Sequence, residues 1–231
     1  MIMNIEGLNK VTLLDFPGRV ACTVFTGGCD LRCPFCHNSQ LVLSPGLTPI
    51  DAEEVFKMLS RRRGVLEGVA ITGGEPLLQP DLRDFILRVR ELGFAVKLDT
   101  NGTHPERLAE LLDGGLVDFV AMDIKNSPER YPATVGIAGF DVSPIRESVE
   151  LIMKRAPEYE FRTTVVAELH DAESFHGIGR LISGAGRYYL QGFVDSGALI
   201  CPGLHAATRE QMEEYRSIAA GYVVTAETRG V

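Results

Sequence analysis

Two rhythms of apolar positions alternate along the chain. Short apolar runs, of which Val20-Ala21-Cys22-Thr23-Val24-Phe25 is the clearest, are separated by longer stretches where apolar residues recur every three or four positions. The short runs read as buried strands and the long stretches as amphipathic helices. Strands are expected at 20–25, 68–72, 94–98, 118–122, 159–166 and 187–192. Helices are expected at 51–62, 80–92, 105–113, 143–156, 172–184 and 207–220, with a short strand at the end. Residues 2–10 alternate weakly, as a short strand or extended arm, and Pro17-Gly18 suits the centre of a type II turn. Thr48-Pro49-Ile50-Asp51 ahead of Glu54 supplies an N-cap and a first-turn acid, while Pro80-Asp81 opens the next helix and Gly93 closes it. Strand then helix, repeated about every 25 to 35 residues, is the pattern of a parallel sheet covered by helices. Six such units fall short of the eight of a closed barrel, which takes about 250 residues, so an open, partial α/β barrel is expected with its chemistry at the strands' C-terminal end.

The first buried strand delivers Thr26-Gly27-Gly28-Cys29-Asp30-Leu31-Arg32-Cys33-Pro34-Phe35-Cys36-His37-Asn38. Cys29, Cys33 and Cys36 stand at C-x3-C-x2-C, which brings three thiolates around one point and leaves a tetrahedral metal or a cubane one protein ligand short. Four readings compete. Zinc on the three cysteines and His37 strains two adjacent ligands. Cys33 to His37 matches the C-x-x-C-H haem attachment pattern of exported proteins, yet no export signal is present. A dithiol pair at Cys33 and Cys36 leaves Cys29 without a purpose. A [4Fe-4S] cluster with one iron free of protein ligands uses all three and needs a second site for the missing ligand. Residues 70–76, Ala-Ile-Thr-Gly-Gly-Glu-Pro, are a candidate for it.

Composition narrows the setting. The 231 residues, 45% hydrophobic and 23% charged, describe one domain with a sizeable core: arm and turn over 1–19, barrel core over 20–192, C-terminal helix and tail over 193–231. A net charge of -8 argues against nucleic acid as partner, and Arg61-Arg62-Arg63 reads as a solvated helix end. No apolar run approaches the roughly 18 residues that span a bilayer, so a cytoplasmic protein is expected. Five cysteines, three of them clustered, fit a reducing compartment; Cys22 and Cys201 read as free, buried apolar filler. His104, His170, His176 and His205 read as surface residues, and no Gly-x-Gly-x-x-Gly follows a strand.

Polar clusters fall at the expected strand ends: Asp99-Thr100-Asn101-Gly102, Asp123-Ile124-Lys125 and Arg162-Thr163-Thr164. Carboxylates, a lysine and an arginine aimed into one barrel mouth suit a zwitterionic amino acid.

The C-x3-C-x-aromatic-C loop followed by Gly73-Gly74-Glu75-Pro76 resembles the radical S-adenosylmethionine superfamily. Leu14 to Arg19, Cys-x-x-Cys-His-Asn, Lys97 to Gly102, Ala121 to Lys125 and Glu160 to Val166 extend the resemblance nearly end to end, toward the activating enzymes of glycyl radical enzymes. The resemblance implies a six-unit (β/α) partial barrel, a [4Fe-4S] cluster on Cys29, Cys33 and Cys36, and S-adenosylmethionine held by Phe35, Cys36, His37, Gly73, Gly74, Glu75, Asp123, Ile124, Lys125 and Arg162. It also implies a monovalent cation at Asp99, Thr100, Asp123 and the Ala121 carbonyl. The implied activity is reductive cleavage of S-adenosylmethionine and formation of a glycyl radical on a partner, anaerobic ribonucleotide reductase foremost. A flavodoxin or ferredoxin would supply the electron, and no residue is assigned as a general base. Residues 37–72 contain no cysteine, so one cluster is expected. Where the pyruvate formate-lyase branch has Leu-Pro-Tyr-His at the sixth strand end, this chain has Leu190-Gln191-Gly192-Phe193, leaving Gln191 or a water in place of a histidine. The alternatives are an activating enzyme of another glycyl radical enzyme, a radical enzyme acting on a small molecule or peptide, and a zinc or electron-transfer module.

Overall fold

The computed structural model describes residues 3–46, 49–195 and 197–230. One eight-stranded sheet runs in sequence order: β1 (Ile5–Thr12), β2 (Ala21–Thr26), β3 (Gly68–Gly73), β4 (Ala95–Thr100), β5 (Phe119–Asp123), β6 (Tyr159–Val165), β7 (Arg187–Gly192) and β8 (Thr225–Arg229). β1 is antiparallel to β2, and every later neighbour is parallel. Among the described residues no pairing joins β8 to β1, so the barrel is open. The helices are α1 (Ser39–Leu43), α2 (Ala52–Arg61), α3 (Leu82–Glu91), α4 (Pro105–Asp113), α5 (Tyr131–Val135), α6 (Ser143–Arg155), α7 (Ala172–Leu181) and α8 (Arg209–Ala220). The expected terminal strand is β8, which adds a seventh parallel strand to the six anticipated. The short helices α1 and α5 lie in stretches read as loop, because five residues carry too little periodicity to register.

Strand parity sorts the side chains. Cys22, Val24, Val69, Ile71, Val96, Leu98, Val120 and Met122 face the helices and join the main core. The alternate positions face the barrel interior, where Ala21, Phe119 and Ala121 close round Phe16 with Ala95 against them. Phe16, 2% exposed, plugs the end of the barrel away from the cysteine loop. Its turn has the expected form: Arg19 N–H bonds to the Phe16 carbonyl at 3.1 Å, and Gly18 has φ +74°. The turn after β1 is therefore a structural stopper at the N-terminal end of the parallel strands.

Helix starts follow local chemistry. Asp51 caps α2 through Glu53 N–H, while Asp171 with Ser174 and Thr208 with Gln211 form capping boxes on α7 and α8. Of the anticipated cap at α2, Thr48 lies outside the described residues. Arg61 ends α2 as expected, and Arg62 and Arg63 donate to the carbonyls of Lys10 and Leu92. Among the described residues no helix is long and apolar enough to cross a membrane.

Phe16→Ala is expected to lower the unfolding free energy by about 3 to 5 kcal/mol, as deletion of a buried ring does. Leu14→Ala in the same turn, at an 89% exposed residue, should move it by no more than about 0.5 kcal/mol. Urea denaturation of the two variants checks the assignment of plug and surface.

Candidate active site

Two glycine pairs hold the cysteine loop over the barrel mouth. Gly74 N–H bonds to the Thr26 carbonyl and Glu75 N–H to the Gly28 carbonyl, both at 2.8 Å. A Cβ on Gly74 would lie 1.9 Å from the Gly28 oxygen, so only glycine admits this backbone contact. Gln79 Nε2 adds a bond to the Gly27 carbonyl at 2.8 Å. On the loop's far side Arg32 N–H meets the Val135 carbonyl at 2.9 Å, at the end of α5.

Glu75 turns inward from this contact and is fully buried. It accepts from Leu77 N–H at 3.0 Å, the Thr100 hydroxyl at 2.9 Å and Asn101 N–H at 2.7 Å. Asn101 in turn places Nδ2 2.9 Å from Asp30 Oδ1 and 3.7 Å from Cys29 Sγ. His104 Nε2 lies 3.2 Å from Asp30 Oδ2. Burial works to raise the Asp30 carboxyl, but hydrogen bonds from His104, Thr103 and Asn101 hold it at about 2. The network runs from the glycine contact to the first cysteine.

Cys29, Cys33 and Cys36 line one cavity of about 170 Å³ together with Phe35, His37, Gly73 and Gly74. Burial pushes the Cys29 thiol up to about 12 and Cys33 up to about 11, so both keep their protons unless a bound cation displaces them. Three thiols around one shared cavity are the donor set that a cubane with one open iron requires.

The opposite wall of the cavity is charged. Asp99, Asp123, Lys125, Arg162 and Thr164 line it. Arg162 Nε bonds to Asp123 Oδ1 at 3.0 Å, and its Nη1 and Nη2 reach Asp99 Oδ2 at 3.2 and 3.3 Å. Lys125 Nζ holds the other Asp123 oxygen at 3.1 Å, and Lys97 bonds to Asp99 from below. Asp123 is held well below the usual carboxylate range: burial opposes this, and the Arg162 and Lys125 charges outweigh it. The same carboxylates push Lys125 and Arg162 up against their own burial. Deeper on the same face Arg229 grips Glu160 with two bonds, at 3.1 and 3.0 Å. At the cavity wall the Lys125 and Arg162 charges are matched by Asp99 and Asp123, while Lys97 and the Glu160–Arg229 pair stand behind the lining.

The structure gathers the expected strand-end residues, with differences. Glu75, Ile124 and Ala121 stand behind the lining: Ile124 is buried in the main core and Ala121 on the barrel floor. The Thr100 hydroxyl serves Glu75, and the Arg162 guanidinium bridges Asp99 and Asp123, the carboxylates expected to hold a cation. Gln191 does not line the cavity; its partner across β6 and β7, Thr164, does. His170 is a correction to the surface reading. It is 3% exposed; Val166 N–H donates to Nδ1 at 3.1 Å, so Nε2 carries the proton and donates to the Lys125 carbonyl at 2.9 Å. His104 and His176 are half-buried, and of these four histidines His205 alone is exposed. Cys22 is buried as expected, whereas Cys201 is exposed, its N–H bonded to the Pro34 carbonyl at 2.9 Å. That bond lays the segment after β7 against the cysteine loop, where His37 and Phe193 also meet at 5.6 Å. Asn101 and Thr164, from the expected strand-end clusters, line the cavity, as do Leu31, Asn38, Val42 and Thr72, to which no role was assigned; for Thr72 the period-two alternation with Ala70 was the available signal.

Burial pushes Glu75 from 4.5 up to about 7 against its three hydrogen bonds. A carboxyl raised on folding binds more protons in the native state, so its contribution to stability is lost as pH rises between about 4.5 and 7. Glu75→Gln removes the titration. Measured by urea unfolding, the stability of the variant relative to the parent should rise with pH across that window and level off above it.

The family profile of the radical SAM superfamily matches residues 23–178. A protein of Methanocaldococcus jannaschii named as a candidate glycyl-radical enzyme activating enzyme is 33% identical over 195 residues, covering 82% of this chain and 79% of its own. The pyruvate formate-lyase-activating enzyme of Clostridium pasteurianum is 36% identical over 150 residues, 61% of this chain and 62% of its own. Among solved structures, SuiB of Streptococcus suis shares the fold with a TM-score of 0.69 at 13% identity, over 88% of this chain and 47% of that one. The cysteine loop, the glycine contact beneath it, the open barrel and the profile that covers the loop and strands β3 to β6 agree: this chain is an enzyme of the radical SAM superfamily.

Proposed function

We propose that the chain is an activating enzyme that places a glycyl radical on a partner protein. The observation that supports this most is the shared cavity, with three thiols on one wall and the paired charges of Lys125, Arg162, Asp99 and Asp123 on the other. In this reading Cys29, Cys33 and Cys36 hold a [4Fe-4S] cluster, and S-adenosylmethionine binds beside it. Lys125 and Arg162 attract its carboxylate, and the backbone carbonyls at Gly73 and Gly74 accept from its amine. Phe35 and His37 flank the nucleoside side of the loop. A cluster held there by Cys29, Cys33 and Cys36 would supply one-electron chemistry to the bound nucleotide, from which hydrogen abstraction at the partner's glycine would follow.

In this reading the residues of this chain position the reactants and exclude water, and none of the described residues is assigned a proton-transfer role. Lys125 is steadied by its ion pair with Asp123 and by His170 on its carbonyl. The relatives of Methanocaldococcus jannaschii and Clostridium pasteurianum support glycyl radical enzymes as the class of partner, and anaerobic ribonucleotide reductase is the member we favour, with a flavodoxin or ferredoxin as electron donor.

After anaerobic reconstitution, Cys33→Ala should hold no cubane by iron and sulfide analysis, whereas Cys201→Ala should hold as much as the parent. Loss in the second variant would move the ligand set. Mixed with the reductase, S-adenosylmethionine and a one-electron donor, the parent enzyme is expected to raise an organic doublet in electron paramagnetic resonance. Deoxyadenosine release with no radical on the partner would assign the activity to a small molecule or peptide instead.

A further inference from the structure

Glu160 presents an electrostatic problem inside the barrel. Its side chain is 2% exposed, and a carboxylate that deep requires a cation. Two are within reach. Arg229, on β8, takes both oxygens at 3.1 and 3.0 Å, the bidentate geometry that guanidinium and carboxylate favour. Arg162 stands two residues along β6 from Glu160, on the same face of the strand, with Nη1 4.0 Å from Glu160 Oε1. Arg162 is thus the only described cation besides Arg229 within 4.0 Å of that carboxylate.

We propose that Arg229 is a positioning residue for Arg162: by occupying both oxygens of Glu160 it leaves the Arg162 guanidinium on Asp99 and Asp123, at the wall of the cavity. The inference rests on the reading of that cavity as the S-adenosylmethionine site. Three carboxylates surround Arg162, and the pair at the cavity wall prevails because the third is already neutralised. Arg229 is itself oriented by stacking, its guanidinium carbon 3.3 Å from the centre of the Tyr189 ring. Without Arg229 the buried carboxylate draws Arg162 down the strand, a side-chain rotation that leaves the backbone in place. The Arg162 charge then leaves the wall. Both Tyr189 and Arg229 lie beyond residues 23–178, so this support comes from strands outside the segment that defines the superfamily.

Four proteins test this: the parent, Arg229→Met, Glu160→Gln and the double variant, each reconstituted anaerobically and left unreduced. Binding of S-adenosylmethionine is measured by calorimetry, and the position of Arg162 by crystallography without nucleotide. Arg229→Met is expected to weaken binding about tenfold, with Arg162 turned to Glu160; tenfold is the loss of one such contact. The double variant, which has no buried carboxylate to satisfy, should return to within about threefold of the parent. Glu160→Gln alone should bind as the parent does, with Arg162 unmoved. A double variant as weak as Arg229→Met, a tenfold loss in Glu160→Gln, or Arg162 still on Asp99 and Asp123 in the Arg229→Met crystal would each overturn the proposal. If Arg229→Met fails to fold, Glu160→Gln and the double variant still decide. If the parent itself binds no nucleotide, the reading of the cavity fails, while the crystallographic comparison continues to test the competition for Arg162.

Discussion

The site depends on a backbone contact that two missing side chains permit. Where the cysteine loop leaves β2 and the glycine turn leaves β3, the chains meet peptide to peptide, with Gly74 against the Gly28 carbonyl. Any larger residue at position 74 would push the loop off the sheet. Because the contact is between main chains, it fixes the loop in height and rotation with little side-chain freedom to lose. Glu75 then carries that fix sideways into β4, and Asn101 carries it back to Cys29. The thiols are held in place by a closed circuit of hydrogen bonds that begins and ends at the cysteine loop.

The second constraint is the cost of charge inside a barrel. Lys97, Glu160 and Arg162 are all nearly or largely buried, and each would be expensive alone. Strand alternation solves this geometrically. Lys97 and Asp99, Asp123 and Lys125, and Glu160 and Arg162 are spaced by two, so each pair shares a face and all face inward. Parallel pairing sets Asp123 directly beside Arg162, and the ladder closes with Arg229 on the last strand. An apolar filling would be at least as stable, but it would present no charge to a ligand. The mouth keeps Lys125 and Arg162 at the end facing the thiols.

These two features divide the labour of the site. The loop side carries sulfur and the barrel side carries charge, and the fold brings them to a common cavity. The segment after β7 leans on the cysteine loop through Cys201 and Phe193, which joins a distant part of the chain to the rim of that cavity.

Much of this was written locally. Apolar runs of five or six residues, helices with Asp or Thr caps and the glycine pairs are short-range features, and strand β7 fell at Arg187–Gly192 as its pattern implied. The C-x3-C-x2-C loop announces its chemistry because ligand spacing is set within eight residues. Other features were invisible in one dimension. His170 looked like a surface histidine, yet the path of the loop after β6 buries it and sets it on the Lys125 carbonyl. Cys201 looked like core filler and is exposed, because a loop's burial is decided by what it lands on. The union of Glu160 with Arg229, 69 residues apart, is settled only when β6, β7 and β8 pair in register. Sequence alone thus determined where three cysteines gather and which stretches become strands, since both depend on neighbours along the chain. Which charges meet, and which residue satisfies each buried one, only the tertiary structure decided, because Coulomb interaction follows distance through space and not position in the chain.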